Sequence, residues 1–173
     1  MVMTLRNKKG DTSVRQIRIR TLEVDGDGDK SLSIFDEPAD VKGTAMLTYS
    51  HGLEPDDQWL YLPALRKTKR IASDDKSSSF MGSDLNYADM TSRDLEDYDF
   101  TLLKEQKDNG HKVWLIQALP RRPEVIDETG YKKSIVFVRQ DNYFVVKAVH
   151  WVRDGGYLKY FDVKKLQQID GIW

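Results

Sequence analysis

At 173 residues with no cysteine, the chain is long enough to bury a sizeable single core, and it has neither disulfides nor thiolate metal sites. Its 27 lysines and arginines nearly balance 28 acids, giving a net charge of -1, so it has no global attraction to nucleic acid or an anionic membrane and leaves charge recognition to local patches. No run approaches the roughly 18 to 20 apolar residues that cross a bilayer as a helix, and Met1 to Arg6 has no basic segment followed by an apolar one.

The first elements alternate: Val14, Ile17 and Ile19 sit among Arg15, Arg18 and Arg20, behind a turn cluster at Asn7 to Asp11. Met3 to Lys8 and Ser13 to Glu23 therefore read as a hairpin. Ser31 to Asp36, Thr44 to Ser50, Gln58 to Leu62 and Leu65 to Ile71 follow as strands, with Pro63 at an edge or bend because it lacks an amide donor. Ser73 to Ser79 reads as a flexible stretch, and Ser83 or Asp84 as the cap of a helix through Met90, which Thr91 to Leu95 extends by a turn.

The second half returns to strands at Asp99 to Glu105, Lys112 to Leu119, Lys132 to Arg139, Tyr143 to Arg153 and Tyr157 to Asp162. Asn109-Gly110, Gly130, Asp141-Asn142 and Gly155-Gly156 join them as turns, the spacing of an antiparallel meander. Several strands are apolar on both sides, with Val113 and Leu115 alternating with Trp114 and Ile116. An antiparallel strand normally shows one wet face, so a packed helix, a second sheet or a bound apolar ligand must cover the other. Arg15, Arg18 and Arg20 point to both sides of one strand, which excludes a lipid-facing barrel wall.

The sequence carries no recognisable catalytic constellation. Asp25, Asp27 and Asp29 alternate as in a calcium loop, but Lys30 replaces the sharp glycine turn and Asp36 the bidentate glutamate, so a solvated turn is expected. His51, His111 and His150 lack metal-ligand spacing and read as surface or strand-end residues. Gly82-Ser83-Asp84 lacks a nucleophile elbow, and Asp94, Glu96, Asp97 and Asp99 read as a solvated acidic face. No catalytic residue, metal or cofactor is assigned, and the chain reads as a non-enzyme.

Two groups remain. Arg66, Lys67, Lys69 and Arg70 put positive charge on both faces of one strand, suited either to protecting a sheet edge or to docking an anionic head group or acidic partner. Trp59, Tyr61, Phe80, Met81, Trp114, Ile116, Phe144, Val146 and Trp151 are the candidates to line an apolar site, each buried methylene contributing about 0.8 kcal/mol.

Leu5 to Gly10, Arg18 to Leu22, Phe35 to Gly43, Trp59 to Ile71, Phe80 to Met90 and Lys147 to Val149 together resemble the LolA-like family of outer-membrane lipoprotein-sorting proteins, over nearly the whole chain. The resemblance implies a mainly β (α+β) fold: a strongly curved, unclosed antiparallel sheet, or half-barrel, with short helices on its concave side and an apolar cavity between. It implies one domain over residues 1–173, trimmed at both ends, lacking an amino-terminal helix and carboxy-terminal strands. It also implies a periplasmic carrier from Gram-negative bacteria that shelters acyl chains of lipoproteins or free lipid, with an inner-membrane transporter and an outer-membrane acceptor as partners. The alternative is an interaction module that docks an envelope partner without carrying lipid.

Overall fold

Among the described residues, short alternating segments punctuated by glycine turns fold into eleven strands, matching the strands of the sequence reading one by one. The computed structural model describes residues 1–26, 28–51, 55–91 and 95–171. Strands β1 (Val2–Arg6), β2 (Thr12–Leu22), β3 (Lys30–Glu37), β4 (Ala45–Tyr49), β5 (Asp57–Leu62) and β6 (Lys67–Ile71) lie in chain order in one six-stranded sheet. Strands β7 (Tyr98–Asp108), β8 (His111–Pro120), β9 (Tyr131–Arg139), β10 (Val145–Val152) and β11 (Leu158–Asp162) form a five-stranded sheet. Among the described residues every pairing is antiparallel and neither sheet closes into a barrel, and the chain divides into two compact units, Met1–Arg93 and Asp94–Trp173. Asn109 and Gly110, both at positive φ, make the two-residue turn between β7 and β8 that matches the twist of the strands.

In the first unit, register places Ile17, Phe35, Met46, Leu60 and Ile71 on one sheet face, and all five are buried. The segment after β6 covers that face. Phe80 is fully buried and meets Tyr87 edge-on at 5.5 Å and Phe35 at 6.0 Å, while Met3, Leu62, Met81, Leu85 and Met90 complete the cluster. Two hydrogen bonds pin the cover to the sheet: Arg15 Nη1 donates to the Met81 carbonyl at 2.6 Å, and Gln58 Nε2 to the Tyr87 carbonyl at 2.9 Å.

The helix expected here is two 3-10 turns, Phe80–Gly82 and Tyr87–Met90. Neither Ser83 nor Asp84 caps the second. Asn86 does, accepting from the Asp89 amide at 2.8 Å while Asp89 accepts from the Asn86 amide at 2.9 Å, a reciprocal pair that satisfies two otherwise open donors. Ser83 instead turns its hydroxyl onto the Phe80 carbonyl at 2.7 Å. Ser73 to Ser79, expected as a flexible stretch, is built into the cover: Ser73–Asp75 is a 3-10 turn and Lys76 is buried. Asp27, Asp94, and the part of the expected helical extension at residues 92–94 lie outside the described residues.

The second unit contains the α-helix of the described residues, α1 (Pro123–Thr129), to which the sequence reading assigns no element. Proline at the first position and left-handed Gly130 just past the end are its signals. Val125 seats the helix on Tyr98 and Ala118. His150, expected at a surface or strand end, is buried, stacked on Tyr131 at 4.5 Å and hydrogen-bonded through Nδ1 to the Ser134 hydroxyl at 2.7 Å.

Because Phe80 joins the cover to the sheet with no exposed surface, Phe80→Ala is expected to destabilise the protein by about 3–5 kcal/mol, the range for a large aromatic truncated in a core, as read by urea denaturation. Asn86→Ala, which removes only the cap, is expected to cost about 1 kcal/mol in the same assay.

Candidate functional site

Directly opposed residues in an antiparallel ladder share a face, so the register of the second sheet sorts its side chains into rows. One row is apolar across all five strands: Leu102, Ile116, Val136, Ala148 and Phe161. Leu102 and Phe161 are 58% and 47% exposed, so this face is open to water at both ends of the row. The next row, toward the β7–β8 turn, holds Glu105, Trp114, Val138 and Val145. Trp114 Nε1 donates to Glu105 Oε1 at 3.2 Å, and the Trp114 ring stacks on Tyr143 at 5.9 Å. Beyond the apolar row in the other direction lie Phe100, Ala118, Ser134, His150 and Lys159, where α1 and Tyr131 close the face.

The opposite face of this sheet carries Val113, Leu115, Phe137 and Val149, with Val113 fully buried. On it, Lys147 Nζ reaches Asp108 Oδ1 at 2.5 Å although β8 and β9 separate their strands. Flat strands would stand about 14 Å apart at that separation. The tip of the β7–β8 hairpin therefore curls over this face, and the ion pair holds it there. The Asp108 carboxylate beside it holds the Lys147 ammonium above the usual lysine range. A raised folded-state value means that this contribution is fully present below the unfolded value of about 10.4 and fades as pH rises through the higher folded one.

The apolar candidates read from the sequence are distributed over both units. Trp114 and Ile116 sit on the open face just described, with Trp151 on the opposite face under Lys133 Nζ at 4.0 Å. Phe144 lies in the loop before β10, its carbonyl accepting from the Arg139 amide, and Val146 occupies a bulge whose carbonyl accepts from the Val163 amide. In the first unit, Trp59 and Tyr61 share the face away from the core, where Trp59 meets Tyr49 edge-on at 5.3 Å. Phe80 and Met81 belong to the cover of the other face. A groove of about 270 Å³ runs between Met3–Arg6 of the edge strand and Gly82–Leu85 of that cover. Sequence reasoning missed Leu102, Val136 and Phe161, whose common face follows only from register.

The cationic residues lie at the other edge of the first sheet. Arg66 adopts a left-handed conformation (φ 48) after the turn Pro63–Leu65, and β6 is an edge strand. Lys67 and Lys69 share one face, opposite Leu62 and Leu60, and Arg70 lies on the other beside Trp59. Lys69 meets Asp75 at 3.4 Å and Arg70 pairs with Asp57, whose carboxyl is held below its usual range first by the hydrogen bond from Arg70. Among the described residues, Arg66 and Lys67 have no ion pair. Asp97 and Asp99 of the acidic run are engaged by Arg122 and Arg121, the latter at 2.8 Å.

Residues 27–173 match a family model described as "-like: Uncharacterized protein". Over 91% of its length the chain is 44% identical, with a TM-score of 0.82, to a protein domain described as an outer-membrane lipoprotein-sorting protein from Vibrio parahaemolyticus, of which it spans 64%. It is 31% identical to a DUF1329 family protein from Desulfovibrio piger, with a TM-score of 0.87, covering 99% of this chain and 72% of that one. A LolA superfamily protein from Nitrosomonas europaea, 18% identical with a TM-score of 0.67 over 98% of this chain and 70% of its own, shares the fold. No curated protein shows a match to the chain.

Single and double alanine variants at Lys147 and Asp108 are expected to show a coupling of about 1 kcal/mol at neutral pH in a double-mutant cycle, the upper range for partly exposed pairs. An additive cycle would remove the pair as the fastening of the hairpin tip.

Proposed function

The chain belongs to the LolA-like outer-membrane lipoprotein-sorting family, in the group that includes the DUF1329 protein of Desulfovibrio piger, and from that premise we propose that it is a periplasmic, non-enzymatic carrier that shelters acyl chains of lipoproteins or lipids for transfer toward the outer membrane. The reading takes the chain as one LolA-like domain. The observation that carries it is the apolar row Leu102, Ile116, Val136, Ala148 and Phe161, which lies on a sheet face that an antiparallel sheet ordinarily gives to polar side chains.

Covering such a row with an acyl chain removes apolar surface from water on both sides of the contact. A leucine or phenylalanine taken from exposed to buried contributes about 1.5–3 kcal/mol, so two exposed members suffice to give a measurable affinity without polar recognition. Trp114 and Ile116 are the sequence candidates that contribute directly, and the others serve the fold or the edges of the site.

A second reading is favoured by one observation: β6 is an edge strand, and its first residue Lys67 and the preceding Arg66 are exposed and have no ion pair among the described residues. An acidic envelope partner, such as a transporter, would dock there by pairing with the edge.

Native mass spectrometry of the protein purified from a Gram-negative periplasm is expected to show co-purifying acylated species. Leu102→Lys with Phe161→Lys, both at exposed positions, is expected to weaken binding of a fluorescent acyl probe at least tenfold while leaving the melting temperature within a few degrees. Arg66→Glu with Lys67→Glu is expected to leave acyl binding unchanged. If it abolishes function in the cell while the row variants have no effect, the docking reading replaces the carrier.

A further inference from the structure

The apolar row ends in charge at the tip of the β7–β8 hairpin. Lys107 and Lys112 are directly opposed across the ladder, on the same face as Trp114 and Ile116. Like charges in this position repel, and both lysines are exposed without an ion pair among the described residues. The Gln140 amide donates to the Lys112 carbonyl at 3.0 Å, which extends the ladder and puts Gln140 beside Lys112 in the same row. The side-chain nitrogens of Gln140 and nearby Asn142 are buried without a hydrogen-bond partner. Unmet donors of this kind are costly.

The acids near the tip are disposed otherwise. Asp108 is taken by Lys147 and Asp141 by Arg139, both on the opposite face. Glu105, on the same face as the lysines, accepts from Trp114 and lies between them and the apolar row. The face is thus graded along the strands: two cations at the tip, an indole ring stacked on Tyr143, then aliphatic residues, with Lys112 and Ile116 separated by about 13 Å of strand.

We infer that this face takes an anionic amphiphile, with a phosphate-class head group held at Lys107 and Lys112 and its acyl chain laid over Trp114 toward the row of Leu102, Ile116 and Val136. This rests on the acyl-shelter reading and adds the class of head group to it. Ammonium donors suit a phosphate as point charges, and bringing the anion between opposed lysines removes their mutual repulsion.

The test compares two probes with one tail, dodecyl phosphate and dodecyl maltoside, by isothermal titration to the full chain at low salt. The wild type is expected to bind dodecyl phosphate at least tenfold more tightly, a preference that shrinks with added salt. Lys107→Gln with Lys112→Gln is expected to bring the two affinities to parity with dodecyl maltoside binding unchanged, and to melt no lower than the wild type without ligand, because the opposed charges are gone. Equal affinities in the wild type, or a preference that survives in the variant, would overturn the head-group assignment and leave the acyl shelter standing. Inorganic phosphate binding as tightly as dodecyl phosphate would overturn it in favour of a free-anion site. Binding of neither amphiphile would sink both readings.

Discussion

Strands with apolar side chains on both faces set the central constraint on this protein. A ladder satisfies the backbone, but it leaves two apolar surfaces where an ordinary antiparallel sheet leaves one. The first unit meets the constraint with its own chain: the segment through Phe80 and Met90 folds over the face of Ile17, Phe35 and Leu60, and Arg15 and Gln58 bind its carbonyls from the sheet. The second unit meets it in part. Its hairpin tip curls over Val113 and Leu115, and α1 closes one end of the other face, while the apolar row on that face stays open to water at Leu102 and Phe161. The open surface is where a carrier reading and a head-group preference both attach.

Several strands were legible because they are bounded by glycine or asparagine at positions that need positive φ, such as Asn109-Gly110 and Gly130, whereas the β5–β6 and β9–β10 connections take their positive φ at Arg66 and Tyr143. The faces were not. Irregularities at Gln16/Ile17, Leu102/Lys104 and Val145/Lys147 each insert a residue and exchange the parity of the rest of the strand. In β5 both Trp59 and Leu60 are apolar, and only pairing shows that Leu60 enters the core while Trp59 faces away. Trp114 and Ile116 were correctly grouped by their spacing, but their partners Val136 and Phe161 come from strands that no local pattern connects to them.

Local chemistry was also misassigned where several polar residues competed. Ser83, Asp84 and Asn86 are all good caps, and the choice fell to Asn86 because Asp89 stands three residues on and returns the hydrogen bond. His150 gave no sign of burial, since its partner Ser134 is sixteen residues away on the neighbouring strand. The Pro123 to Gly130 frame was readable in principle, yet a seven-residue helix between two strong strands offers little periodicity to detect.

The three described tryptophans occupy different electronic surroundings: Trp59 edge-on to Tyr49, Trp114 stacked on Tyr143 beside a carboxylate, and Trp151 beneath an ammonium. Each half of the molecule therefore carries its own emission signature, and the two faces of the second sheet are separately labelled by Trp114 and Trp151. Conservative replacement of one indole at a time turns native fluorescence into a map of which surface a bound molecule has dried.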